Sequence, residues 1–204
     1  MGIRLPDPFT VNGAPGFSTA DLIDNHPIIR DELRDGSILI VKDGAQYWSI
    51  DITYPDLLPT EYSLILSTLE ESKRTGKSLL ILLPQYLHFR VTTDINTLSI
   101  PAGLSGSLLT INGMTNALPF PGDLLQLSNS ISKKVYRITS IDTSISNKVT
   151  LGLYPDLVVT TTGAEKPEFN NILFNTILSD WEHTTSINTD GLYTGVNIRV
   201  RESK

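Results

Sequence analysis

The chain has 204 residues, 40% hydrophobic and 19% charged, and its 22 acidic against 16 basic side chains leave a formal net charge of −6. This is ordinary globular usage, long enough for one large or two small domains with real cores, and it lacks the basic balance of a protein that grips nucleic acid. Cysteine is absent, which excludes disulfides, thiolate metal sites and thiol nucleophiles and fits synthesis in a reducing compartment.

The first sixteen residues hold Pro6, Pro8, Pro15, Gly13 and Gly16 and no apolar leader, so they read as an extended arm (1–20) and not as an export signal. Ile3, Leu5, Phe9 and Val11 are apolar anchors that a free tail does not need, and they point to an inter-subunit contact. No apolar run approaches the ~20 residues of a membrane span, so membrane insertion is not expected.

Ser18 or Thr19 is placed to cap a short helix through Leu22 and Ile23. Ser37–Val41 reads as a strand that turns at Asp43-Gly44 into the next one as a hairpin. In that next strand Trp48, Ile50, Ile52 and Tyr54 alternate with Tyr47, Ser49, Asp51 and Thr53, the period of a half-buried strand. Pro55-Asp56 stops it. A helix over about 60–75 follows, with Thr60 as N-cap, Glu61 in the first turn, Lys73-Arg74 in the last and Gly76 at its end. Its stripe of Tyr62, Ile65, Leu66 and Leu69 is spaced to lie on the sheet that contains Trp48, Ile50 and Ile52. The apolar run Leu79–Leu83 then reads as a strand covered on both faces.

From about Ile100 the texture changes. Ser107–Ile111, Asp123–Leu127, Lys134–Ile141 and Lys148–Leu153 are short strands separated by Gly, Asn, Pro and Ser, the spacing of a small barrel or sandwich, with Tyr154-Pro155-Asp156 closing the last. The chain resumes at Phe169–Leu178 and ends in an alternating strand, Val196–Arg201. The expected fold is mainly β (α+β). A sheet or barrel domain over 21–100 and 165–204, crossed by one amphipathic helix, receives a small all-β barrel insertion over 101–164.

Chemistry is nearly silent. His26, His88 and His183 make no metal-ligand spacing, and no P-loop, nucleophile elbow or dinucleotide fingerprint occurs. Asp51, Asp56, Asp123, Asp142, Asp156, Asp180 and Asp190 lie near strand ends, but Asp123 after Gly122 and Asp156 after Pro155 sit where an aspartate bonds its own turn. Trp48, Trp181 and tyrosines are candidates for a sugar-stacking platform, although Trp48 falls on the core side of its strand. No catalytic, cofactor-binding or metal-binding residue is assigned, and no small-molecule substrate is expected. Lys73-Arg74 and Lys133-Lys134 are the close basic pairs, and both read as solvated surface.

The Trp48 strand, the Tyr54-Pro55 corner, the Glu61 helix ending at Gly76 and the strand to Leu83-Pro84 resemble the minor tail and distal-tail proteins of tailed bacteriophages. The likeness continues through Pro121–Leu127, Val135–Ile138 and Val149–Leu157, covering Ile38 to Leu157 with the terminal Arg201-Glu202. The resemblance implies a structural subunit of a tail tip or baseplate, made in the host cytoplasm and carried in the virion. It implies a ring, sixfold by preference, of copies of the chain joined to other tail proteins. DNA would pass through that ring without being bound specifically, along an acidic lining consistent with the net charge. The alternative is a carbohydrate-binding or glycan-degrading tail component, which requires exposed Trp181 and Tyr193 near carboxylates.

Overall fold

The computed structural model describes residues 2–42, 44–87, 91, 94–114, 117–145, 147–179 and 186–203. The fold is mainly β with one α-helix. The chain divides into two compact units, Met1–Leu79 with Thr176–Ser203, and Leu80–Asn175.

The first unit holds β1 (Ile3–Arg4), β2 (Thr19–Asn25), β3 (Ile28–Glu32), β4 (Ile38–Lys42), β5 (Tyr47–Thr53) and α1 (Pro59–Thr75). The chain crosses to the second unit within β6 (Leu79–Leu82). It returns within β12 (Leu173–Leu178), followed by β13 (Ser186–Ile187), β14 (Tyr193–Thr194) and β15 (Asn197–Glu202). Six strands form one sheet in the order β1-β6-β12-β15-β5-β2. β5 lies antiparallel between β15 and β2, with Ile52 opposite both Ile198 and Ala20. Trp48, Ile50 and Ile52 are buried, and the residues between them are half-buried, so the period of two is realised as one core face and one wet face.

Three expectations are corrected here. Thr19–Asn25 form an edge strand and not a helix: all seven residues of β2 pair with β5, and that ladder outweighs the local capping signal of Ser18-Thr19. β4 pairs with β3 and not with β5, because the turn is Asp35-Gly36, where Asp35 accepts the N–H and hydroxyl of Ser37 and Gly36 takes φ 80°. The N-cap of α1 is Leu58, with Pro59 in the first turn; Glu61, not Thr60, supplies the cap by accepting the Leu58 N–H at 2.8 Å.

Tyr62, Ile65 and Leu69 form the buried stripe of α1, while Leu66 is only half-buried. A cavity of about 470 Å³ is lined by Leu69 and Lys73 of the helix and, from the sheet, by Asp21, Asp51, Ile52, Leu178, Ile198 and Arg199 among others. Gly76 ends the helix at φ 65°, and the buried Ser72 hydroxyl donates to the Lys77 carbonyl at 2.7 Å.

In the second unit, β7 (Gly106–Asn112), β8 (Leu124–Ser128), β9 (Val135–Asp142), β10 (Lys148–Leu157) and β11 (Lys166–Glu168) form a sheet in the order β11-β8-β9-β10-β7. Its core includes Leu109, Ile111, Leu125, Ile138 and Leu151. Val91, Leu98 and Ile100 join that core, and β11 pairs with β8, so the second unit is drawn wider than 101–164. β10 does not close at Tyr154-Pro155-Asp156. It shifts register after Gly152 and pairs again at Leu157 with Gly106, which leaves Asp156 on a strand and not in a turn.

Candidate assembly surfaces

The N-terminal segment is tied to its own unit. The Ile3 N–H donates to the Ser78 carbonyl at 2.8 Å, Ile3 is half-buried, and Leu5 is buried within the chain. Buried Asp7 accepts the Phe9 N–H at 3.0 Å and holds Arg4 at 2.9 Å, bending the chain back on itself. Phe9 and Val11 stand exposed at the tip of this bend. Of the four side chains expected to anchor a neighbour, Leu5 is therefore already occupied, and Phe9 and Val11 remain available.

The hairpin β3–β4 is a separate two-stranded ribbon with Ile29 opposite Val41 and Arg30 opposite Ile40. Ile29, Ile38, Leu39, Ile40 and Val41 are between 46% and 66% exposed. Consecutive strand residues point to opposite faces, so both faces of the ribbon are apolar and wet. Sequence reasoning found β4 but paired it wrongly, and thereby missed that its apolar residues have no core to enter.

The wet face of the six-stranded sheet mixes exposed Ile23 and Ile177 with paired polar groups. Arg199 lies directly across from Asp51 and donates to both of its carboxylate oxygens at 2.8 Å. The Arg201 guanidinium sits 3.7 Å from the centre of the Tyr47 ring. In the second unit, Ala117, Leu118, Pro119, Phe120, Pro121 and Ile141 line an apolar surface pocket, with Phe120 exposed.

The residues weighed for chemistry are dispersed. Asp123 accepts the Phe120 N–H and Asp142 the Ser144 N–H, both at 2.8 Å, as turn formers do. Asp51 is occupied by Arg199. Among the described residues no group of three or more His, Asp or Glu is placed to hold a metal ion. Trp48 is buried, and half-buried Tyr193 has one ring face stacked on Tyr62 at 4.0 Å between ring centres. Trp181, His88, His183 and Asp180 lie outside the described residues.

Comparison with known proteins gives the family. Residues 5–86 match the family described as distal tail protein pb9, A domain, N-terminal, and residues 87–172 match distal tail protein pb9, B domain. Distal tail protein pb9 of Escherichia phage T5 is 48% identical over 206 aligned residues, spanning 98% of this chain and 100% of the relative. The chain belongs to the distal tail protein pb9 family. It is a structural component of a bacteriophage tail and has its place in the virion. The family's division between A and B domains falls at 86/87, close to the crossing within β6 that separates the two units. Membership of a structural tail family speaks for a non-enzymatic role and for association with other tail proteins. Among the described residues no helix is long and apolar enough to cross a membrane.

Proposed function

We propose that the chain forms a homo-oligomeric ring, sixfold by preference, at the distal end of the tail tube, where it joins neighbouring tail proteins around the path of the DNA. The observation that carries this reading is the end-to-end likeness to a distal tail protein, at 48% identity over 98% of the chain. Two features of the fold support it. The β3–β4 ribbon exposes apolar side chains on both faces, and a lone two-stranded hairpin of that kind is marginal in water until something covers it. β2, seven residues long, is an edge strand of the six-stranded sheet among the described residues, and edge strands are the places where a neighbouring strand can add. In a closed ring of identical subunits each chain offers one patch and receives another, and the ribbon is the patch offered.

The test is complementation of a phage lacking the chain with Leu39→Glu/Ile40→Lys, followed by imaging of the tails. Loss of the distal ring, with unchanged thermal melting of the purified variant, supports the proposal. Intact rings carrying both substitutions show that the ribbon is not the contact. A chain found in single copy, or away from the tube axis, removes the ring itself.

A further inference from the structure

The wet face of β15, β5 and β2, at one end of the six-stranded sheet, raises an electrostatic problem that the fold answers within itself. β2, β5 and β15 together contain two basic residues, Arg199 and Arg201, both on β15 and both exposed. Their alternation with buried Ile198 and Val200 puts them on the wet face, where β5 contributes Tyr47, Ser49, Asp51 and Thr53. Two bare guanidiniums on one strand, two residues apart, are well spaced to take successive phosphates of a nucleic acid. Repeated around a ring, they would become a basic girdle.

Each is withheld by a different device. Asp51 stands opposite Arg199 in register and takes two of its N–H groups in a bidentate pair, the geometry that a phosphate would otherwise use. The next carboxylate along the same line is Asp21, opposite Asp51 on β2, which adds negative potential beside the pair. Arg201, opposite Ser49, has no carboxylate across from it and lies instead over the Tyr47 ring at 3.7 Å. These three strands thus bring two arginines and two aspartates to the wet face, and Lys73 of α1 borders the cavity that Asp21, Asp51 and Arg199 line.

We propose that Asp51 and Tyr47 are built-in counter-groups that occupy Arg199 and Arg201 and so keep this face from holding a polyanion. The inference rests on the reading of a ring that DNA passes through, because there a retained phosphate contact slows passage. It names the partner chemistry, a duplex phosphate backbone, and the residues that refuse it.

The test is binding of the purified chain to a short labelled DNA duplex at low salt, and it needs no ring, so its failure is separate from failure of the assembly reading. Asp51→Asn is compared with Glu70→Gln, an exposed position on α1 that changes the net charge equally. Asp51→Asn is expected to tighten duplex binding roughly tenfold more than Glu70→Gln, with the gain lost as salt rises. Adding Arg199→Gln to Asp51→Asn is expected to abolish the gain. Tyr47→Leu, which keeps bulk beside β15 but removes the aromatic face, is expected to tighten binding in the same direction through Arg201. Equal affinities for Asp51→Asn and Glu70→Gln overturn the proposal, as does a gain that survives Arg199→Gln. Thermal melting of each variant confirms that folded chains are being compared.

Discussion

The side chain of Gln126 takes both backbone groups of Leu173, donating from Nε2 to its carbonyl at 2.9 Å and accepting its N–H on Oε1 at 3.2 Å. The same amide nitrogen also donates to the Lys133 carbonyl at 3.0 Å. A side chain here does the work of a neighbouring strand at the start of β12. Gln126→Ala leaves these groups without partners in a nearly closed site, and a cost of about 1–3 kcal/mol is expected for the unsatisfied groups. Urea denaturation of the full chain measures it, and Gln126→Glu, which loses the donor, is expected to recover little.

The helix stripe makes a graded prediction. Ile65 is fully buried and Leu66 half-buried, so Ile65→Ala is expected to cost about 2–5 kcal/mol and Leu66→Ala clearly less. Ser67 is exposed, and Ser67→Ala is expected to stay within about 0.5 kcal/mol of the parent. Chemical denaturation of the three variants fixes the orientation of α1.

The N-terminal segment was legible as extended but not as local. Its prolines and glycines announce irregular backbone, yet nothing in the residues tells that Ile3 bonds Ser78 or that Leu5 enters a core formed by later residues. Removal of residues 1–16 is therefore expected to lower thermal melting of the isolated chain. Phe9→Ser/Val11→Ser, at the exposed bend, is expected to leave melting unchanged and to weaken assembly alone. Differential scanning calorimetry beside tail imaging separates the two roles.

Glu165 ties acid stability to the segment that follows β10. Burial pushes its carboxyl up, but the N–H groups of Thr162 and Gly163 and the Thr162 hydroxyl pull it further down, to below its ordinary value. A carboxylate depressed in the folded state contributes stability above its unfolded pKa, and that contribution is lost as pH falls through the lower, folded value. Glu165→Gln is expected to reduce stability at neutral pH and to flatten the loss of stability in acid. Thermal unfolding of both proteins across the acid range measures the slope.

The elements that could be read from the residues are those in which local pattern and tertiary role agree. β5 alternates large apolar residues with polar ones, and α1 carries a proline at its start, a glutamate cap, a basic last turn and a closing glycine. β2 was misread because its polar residues and Ser18-Thr19 look like a helix start, while its strand conformation comes from pairing with β5. The hairpin was misread because Ile28–Glu32 offers only two apolar residues, too few to mark a strand. The tail family was legible from the joint order of the Trp48 strand, the Pro corner, the helix and the Gly122-Asp123 strand. The arginine pairing was not, since Asp51 and Arg199 lie 148 residues apart and only the register brings them together.

That separation also orders events on the ribosome. β5 emerges early, but its partner β15 follows the second unit, all of which is made between them. At about 5–20 residues per second, Trp48, Ile50 and Ile52 wait roughly 7–30 s for Ile198 and Val200 to arrive. The second unit, continuous in sequence, has its strands complete before that wait ends. The first is held open until β15 is made, and without β15 the strand β5 is bare on the side away from β2.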